Sequence, residues 1–325
     1  MKILHVNNVA NVPEGLVKGL AKIGIDAQLY QPYTGIDKPG RLRKLSVITN
    51  RISDVRSLAR QVHREKYDIV HIHYAYFGVL GMLGGYPYWL HCHGTDIRRN
   101  LDHPVYGRPT ALSLMKAKHV LYSTPDLKTY ADKLRPDAVF LPNPVQTDLF
   151  KPKDYSEPRG RILLISRIDK VKGIDIALGA LEKLKARNPS VKIDAFAWGP
   201  DLDRFKGKDF INFIPRVRHE ELGRLISNHQ IVVGQFGLGI LSMSELEAMA
   251  CARPVVCSFD YQDWYDGAPP LVQAKDENEI IEQIERLLAK PKLCEEIGLA
   301  SWDWVIKHHD YTSVAKKLAE MYKQG

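Results

Sequence analysis

The stretch that decides the fold is Gly234-Gln235-Phe236-Gly237-Leu238-Gly239-Ile240-Leu241-Ser242-Met243-Ser244-Glu245-Leu246-Glu247-Ala248-Met249-Ala250-Cys251-Ala252-Arg253-Pro254-Val255-Val256. It follows Gln230-Ile231-Val232-Val233, a β-branched run that reads as the end of a strand. Three glycines then form a loop whose backbone N–H groups can approach a ligand closely. The loop enters a short helix, expected over Ser244 to Cys251, built from good helix formers. Arg253-Pro254 stops that helix, and Val255-Val256 begins the next buried strand. A flexible loop running into a helix N-terminus is an anion site, because unpaired N–H groups and the helix dipole point the same way. Glu247 sits one turn inside, placed to accept hydrogen bonds from hydroxyls on whatever carries the anion. A nucleotide diphosphate satisfies both features. A generic strand–loop–helix of an α/β protein is the alternative, because glycine-rich loops are common.

The same pattern recurs along the chain. Lys2 to Asn7 reads as a buried strand, Asn7 to Pro13 as a loop, Glu14 to Ile23 as a helix and Ile25 to Tyr30 as a second strand. This βαβ opening starts a doubly wound parallel sheet. The second half restarts with a strand over Arg161 to Ser166, a loop over Arg167 to Gly173 and a helix over Ile174 to Ala186. A chain of 325 residues suits two domains of about 150 each. The fold class expected is α/β, with domains over 1–152 and 153–302, joined by the charged, proline-containing run Lys153 to Gly160.

No apolar run reaches the roughly 18 residues of a membrane-crossing helix, and the apolar part of the N-terminus is too short for a signal peptide. A cytoplasmic location is therefore expected. Cys92, Cys251, Cys257 and Cys294 show no disulfide spacing. The net charge of +8 lies wholly in the first half, where residues 1–150 carry 20 Lys and Arg against 12 Asp and Glu. Residues 41–64 form a helical repeat of Leu42, Leu45, Ile48, Ile52, Val55, Leu58 and Val62, decorated by Arg41, Arg43, Lys44, Arg51, Arg56, Arg60 and Arg64. Such a helix packs its apolar stripe on a sheet. Its basic face also suits an anionic membrane, which would make the protein peripheral on the inner face of the cell membrane. Nucleic acid is not expected, because no aromatic-basic platform accompanies the charge.

Arg167 and Lys172 straddle a strand-to-helix turn. From there an Arg can hold a diphosphate in bidentate fashion and a Lys as a point charge. Solvated loop charges are the plainer reading. His71, His73, His91, Cys92 and His93 invite a metal reading. Alternate strand residues point to opposite faces, so Cys92 would point away from the histidines. No CxxC or HExxH spacing supports zinc. No metal is expected.

Five segments in order resemble the glycosyltransferases of family 4 type: His93-Gly94-Thr95-Asp96, Pro142-Asn143, Arg167-x4-Lys172-Gly173, Gly199-Pro200 and Glu247-Ala248-Met249-Ala250. The run Asp68 to His73 is similar to the same family's amino-terminal domain. The resemblance implies a GT-B fold: two Rossmann-like doubly wound parallel-sheet domains facing a cleft, with a final helix, about 303–325, crossing back onto the first. It implies transfer of a sugar, with retention, from a UDP- or GDP-linked donor to a hydroxyl of a glycan or lipid-linked acceptor, without a cofactor. In that reading His93 lies beside the transferred sugar. Arg167 and Lys172 neutralise the leaving diphosphate, helped by backbone N–H groups at Ser242 and Met243. Glu247 holds the ribose, and the loop at Arg216 and Val217 lies by the base. Asn8, His73 and Asp96 lie on the acceptor or sugar side.

The family's pattern carries a second glutamate eight positions before Glu247, where this chain has Gly239. Gln235 or Asp96 could compensate, or the Gly239 backbone could meet the sugar directly. Two other readings stay open: a non-catalytic nucleotide-binding or scaffold protein of the same fold, and an enzyme that remodels the nucleotide sugar.

Overall fold

The computed structural model describes residues 1–33, 40–153 and 159–325, with side chains of 40–49 left aside. It divides into two units, Met1–Pro144 with Tyr311–Gly325, and Val145–Asp310.

In the first unit six parallel strands lie in the order β2-β1-β3-β4-β5-β6: β1 (Lys2–Val6), β2 (Asp26–Tyr30), β3 (Ile69–His73), β4 (Trp89–Cys92), β5 (His119–Tyr122) and β6 (Val139–Phe140). Its helices are α1 (Val12–Lys22), α2 (Gly40–Glu65), α3 (Gly78–Gly84), α4 (Thr95–Arg98), α5 (Gly107–Lys116) and α6 (Lys128–Ala131). The chain reverses direction across the sheet between β1 and β3, and ligands of such sheets gather beyond the carboxyl ends of the strands at that reversal. Leu4, Val6, Val70, Ile72, Leu90 and Cys92 build a core on one face with Leu58 and Val62 of α2. The other face is unusual. His5 pairs in register with His71, and His73 with His91, so four histidines share it. The C-terminal helix Tyr311–Gln324 packs on α1 at Gly19, where a Cβ would lie 2.4 Å from the Tyr311 carbonyl oxygen. From it Tyr322 reaches the histidine face, its hydroxyl bonded to His71 Nδ1.

The second unit also has six parallel strands, β7 (Arg161–Leu164), β8 (Lys192–Phe196), β9 (Asn212–Ile214), β10 (Ile231–Val233), β11 (Val255–Cys257) and β12 (Val272–Gln273). Their order, β12-β11-β10-β7-β8-β9, places the reversal between β7 and β10. Helices α7 (Ile174–Arg187), α8 (His219–Ser227), α9 (Met243–Ala250), α10 (Glu277–Ala289) and α11 (Pro291–His309) cover it. Ile162, Leu164 and Val233 enter one core, while Leu163, Val232 and Val255 enter another with Leu246 and Met249 of α9. Both faces are covered, which is why these strands read as unbroken apolar runs.

The division falls at 144/145 and 310/311, where the sequence suggested 152 and 302. Val145 donates its N–H to His309 O at 2.7 Å and bridges Asp310, and Phe150 is wholly buried in the second unit's core, so 145–152 pack there. The expected helix over 303–325 is two helices broken at Asp310 (φ −53°, ψ 128°), and only its later part belongs to the first unit. Within the expected linker, residues 154–158 lie outside the described residues, as do the side chains of Arg41, Leu42, Arg43, Lys44, Leu45 and Ile48. Ile52, counted in the apolar stripe, is 52% exposed. Arg56, Arg60 and Arg64 are exposed. Among the described residues no helix is long and apolar enough to cross a membrane, and all four cysteines are buried, unpaired thiols.

Candidate functional site

The loops that follow β7 and β10 meet, because those strands are neighbours at the reversal of the second sheet. Phe236 donates its N–H to Lys172 O at 3.0 Å. A Cβ on Gly237 would lie 2.4 Å from Val171 O, and one on Gly173 2.8 Å from Gly237 N. Only glycine at both positions lets the Arg–Lys loop lie backbone to backbone on the glycine loop. Gly173 also has φ 71°, a left-handed conformation that disfavours side chains.

Arg167 Nη2 is held by the buried carboxylate of Asp169, which also accepts the Val171 N–H at 3.1 Å. The Arg167 guanidinium lies 5.7 Å from the Trp198 ring centre, and that of Arg216 lies over the same ring at 4.5 Å. One indole therefore gathers two of the expected cations. Val217 is half-buried against the second core, and Lys172 closes the turn beneath Gly173.

The helix α9 starts one residue earlier than expected, with Ser242 as its cap. Glu245 is fully buried and accepts N–H groups from Gln235 at 3.1 Å and Ser242 at 2.9 Å, besides the Ser242 hydroxyl. The Ser242 N–H assigned to a diphosphate is thus occupied by the capping carboxylate. The first-turn N–H groups of Met243 and Ser244 are the ones helix geometry leaves without intrahelical partners. Glu247 is 4% exposed, and His219 Nε2 bonds its Oε1 at 2.8 Å. Burial raises the Glu247 pKa, with the His219 bond opposing it. Gly239 has φ 61°. The amide of Gln235 donates to Ile240 O at 2.8 Å, so this side chain braces the loop and does not stand in for a missing carboxylate.

In the first unit, His73 and His93 come together, His73 Nδ1 lying 2.9 Å from His93 Nε2. His73 Nε2 in turn meets His5 Nδ1 at 2.8 Å. Burial lowers the pKa of all five clustered histidines, His5 and His93 to about 3. Asp96 is fully buried. Its carboxylate accepts N–H groups of Ala75 at 2.9 Å, Gly94 at 2.7 Å and His93 at 3.1 Å. Burial raises its pKa against those bonds. It shapes the loop carrying His93, which corrects its expected place on the sugar side. Asn8 donates its N–H to Gln31 Oε1 at 2.8 Å and is half-buried. Asn7 and Asn11 take φ 76° and 58°, so asparagine fills a backbone role that glycine often supplies.

His219, Asp169, Trp198 and Glu245 join the site without standing among the residues expected from the sequence. Ser242-x-x-Glu245 is a capping-box spacing and was legible. Asp169 acts on neighbours two residues away, Arg167 and Val171, whereas His219 acts on a partner distant in sequence and Trp198 through a ring whose neighbours only the fold supplies.

The sequence profile described as Glycosyltransferase Family 4 matches residues 9–149, and that described as Glycosyl transferases group 1 matches residues 159–290. The chain is 25% identical to the GDP-mannose-dependent alpha-(1-6)-phosphatidylinositol monomannoside mannosyltransferase of Mycolicibacterium smegmatis, over 59% of this chain and 58% of that protein. Its fold is similar to that of sucrose-phosphate synthase from Thermosynechococcus elongatus, with a TM-score of 0.75, 16% identity and coverage of 100% and 99% of the two chains. It is similar also to Anabaena Alr3699/HepE, crystallised with UDP and glucose, with a TM-score of 0.71, 14% identity and coverage of 99% of each chain.

Proposed function

The chain belongs to the group 1 glycosyltransferases of family 4 type, with the two Rossmann-like domains of the GT-B fold, and from that premise we propose that it moves a sugar from a nucleotide-diphosphate donor to an acceptor hydroxyl. One observation carries this reading: the backbone seating of the Arg167–Lys172 loop on the glycine loop that leads into α9. Cleavage of the sugar–phosphate bond leaves negative charge on the diphosphate. Cations and helix-terminal N–H groups fixed in advance stabilise that charge without reorganising. Arg167 is oriented by Asp169 and Trp198, and Lys172 adds a second charge five residues on. Glu247, with one oxygen engaged by His219, presents the other to a ribose hydroxyl. His93 and Asn8, at loops following strands of the first unit, serve the sugar and the acceptor.

A lipid-linked acceptor is favoured over a soluble glycan. The relative from Mycolicibacterium smegmatis carries a phosphatidylinositol mannoside in its name, and the exposed Arg56, Arg60 and Arg64 suit an anionic membrane surface. The donor is a UDP- or GDP-sugar, used without a cofactor.

Calorimetry with UDP and GDP on wild type, Arg167→Ala and Lys172→Ala is the test. Loss of a charge-assisted contact to phosphate is expected to weaken binding by about 1.5–3 kcal/mol, roughly 10- to 150-fold. Equal affinity in all three proteins would remove the basis of the reading.

A further inference from the structure

From the histidine cluster of the first unit we infer that His73, His91 and His93 form a binding site for a divalent transition metal ion of the zinc class. The five rings of His5, His71, His73, His91 and His93 lie against one another, with centroids 4.3–5.4 Å apart along the series. Each imidazole offers two ring nitrogens. Both nitrogens of His91 are buried and have no hydrogen-bond partner among the described residues, and the same holds for His5 Nε2 and His71 Nε2. A buried polar group left without a partner costs about 1–3 kcal/mol. A sheet that needed only packing here would gain by carrying leucine or valine.

Two trios bring three ring nitrogens within 4.8 Å of one another: His5, His71 and His73, and His73, His91 and His93. The second trio fits an ion better for three reasons. His93 is partly exposed, which gives an entry path, whereas every ring of the first trio is buried. His91 has no competing hydrogen bond, whereas His71 Nδ1 is engaged by the Tyr322 hydroxyl. And His73 already has the outer partner that a metal-binding histidine uses: with Nδ1 turned to the ion, its Nε2–H donates to His5 Nδ1 at 2.8 Å, which fixes the tautomer.

Zinc–nitrogen bonds of 2.0–2.1 Å set tetrahedral ligands about 3.3 Å apart. The 2.9 Å between His73 Nδ1 and His93 Nε2 widens by a few tenths of an ångström, and the remaining separations in the trio, which reach no further than 4.8 Å, close by up to about 1.5 Å as the rings turn toward the ion. The proton shared by that pair leaves as His93 changes tautomer, from Nε2–H to Nδ1–H, so all three rings stay neutral and no net proton is released. Three imidazoles suit zinc, cobalt, nickel or copper and disfavour magnesium and calcium. The fourth position opens on the exposed side of His93.

The site shares His93 with the sugar-transfer reading, and an ion on its Nε2 takes the atom otherwise offered to the sugar; the test reads metal and not turnover, so the two readings fail separately. Chelator-treated full-length protein is titrated with cobalt(II) and zinc(II). One equivalent of cobalt is expected to give ligand-field bands of a nitrogen-rich, four- or five-coordinate site. Zinc is expected to displace it and to raise the melting temperature. His91→Asn is expected to abolish the bands, while His5→Asn keeps the stoichiometry and weakens binding 10- to 100-fold. X-ray absorption on the zinc-loaded wild-type protein, which no folding defect of a variant can confuse, is expected to count three imidazoles. No ligand-field bands, a metal environment with fewer than three imidazoles, or binding unchanged in His91→Asn would overturn the site.

Discussion

The carboxylate of Asp260 stands against Gly239: a Cβ on that glycine would lie 2.1 Å from Asp260 Oδ2, and the Asp260 N–H donates to Gly239 O at 2.9 Å. At position 239, where the family's pattern has a glutamate, an acidic group from the loop after β11 fills the space, and any side chain there needs the exposed Asp260 carboxylate to swing aside. Gly239→Ala meets both this contact and a left-handed backbone at φ 61°. A loss of about 1–3 kcal/mol is expected in denaturant unfolding. Asp260→Ala should restore part of it, because the contact is removed while the backbone strain remains. Strict additivity of the two changes in a double-mutant cycle would show that the two residues do not interact.

Glu247 is a buried carboxylate bonded by His219 Nε2 at 2.8 Å. His219→Ala is expected to lower stability by about 1–3 kcal/mol, since it strips a buried acid of its hydrogen bond. It should also weaken UDP or GDP binding, because Glu247 is then free to change rotamer. Nucleotide affinity equal to wild type would separate Glu247 from nucleotide binding.

Asp194 accepts bonds from His229 Nε2 at 2.8 Å, Asn212 Nδ2 at 2.7 Å and Arg161 Nη2 at 2.9 Å. The His229 bond, helped by the other two and opposed by burial, holds its pKa well below the usual carboxylate range. A carboxyl with a depressed folded pKa contributes stability above its unfolded pKa, about 3.9, and loses it as pH falls from there toward the folded value. Asp194→Asn should be less stable than wild type near neutrality. The gap should narrow as melting temperatures are followed below about pH 4. A constant gap would mean that this acid adds nothing to the pH dependence.

Exposed Arg56, Arg60 and Arg64 lie on α2. Replacing all three by Glu is expected to abolish sedimentation with vesicles containing anionic lipid. Each basic residue near such a surface contributes about 1 kcal/mol. Melting temperature should change little, since these side chains are exposed. Binding that survives the triple change would retire the membrane reading of this helix.

The strand, glycine loop and helix at 234–256 were legible because period and turn chemistry are local properties. So was the pairing of Arg167 with Lys172 across a turn. The partners that tune the site were not. Trp198 meets Arg167 from the end of the neighbouring strand, Asp169 turns back onto it from two residues along the same loop, His219 reaches Glu247 from α8, and Asp260 meets Gly239 across two strand ends. None leaves a periodic trace. Asp96 misled because a carboxylate beside a conspicuous histidine reads as exposed chemistry, whereas three backbone N–H groups claim it. The helix break at Asp310 has no proline or glycine to mark it.

The first unit is built from two stretches separated by the whole of the second: Tyr311–Gly325 lies on α1, and Tyr322 seals the histidine face of the sheet. During synthesis that face stays open until the helix Tyr311–Gln324 leaves the ribosome, after the whole of the second unit has been made. The contiguous second unit can mature first, while the amino-terminal sheet waits with its histidines uncovered. A frameshift or stop near residue 310 would thus strand residues 1–144, leaving them to chaperones and proteases although their own sequence is intact.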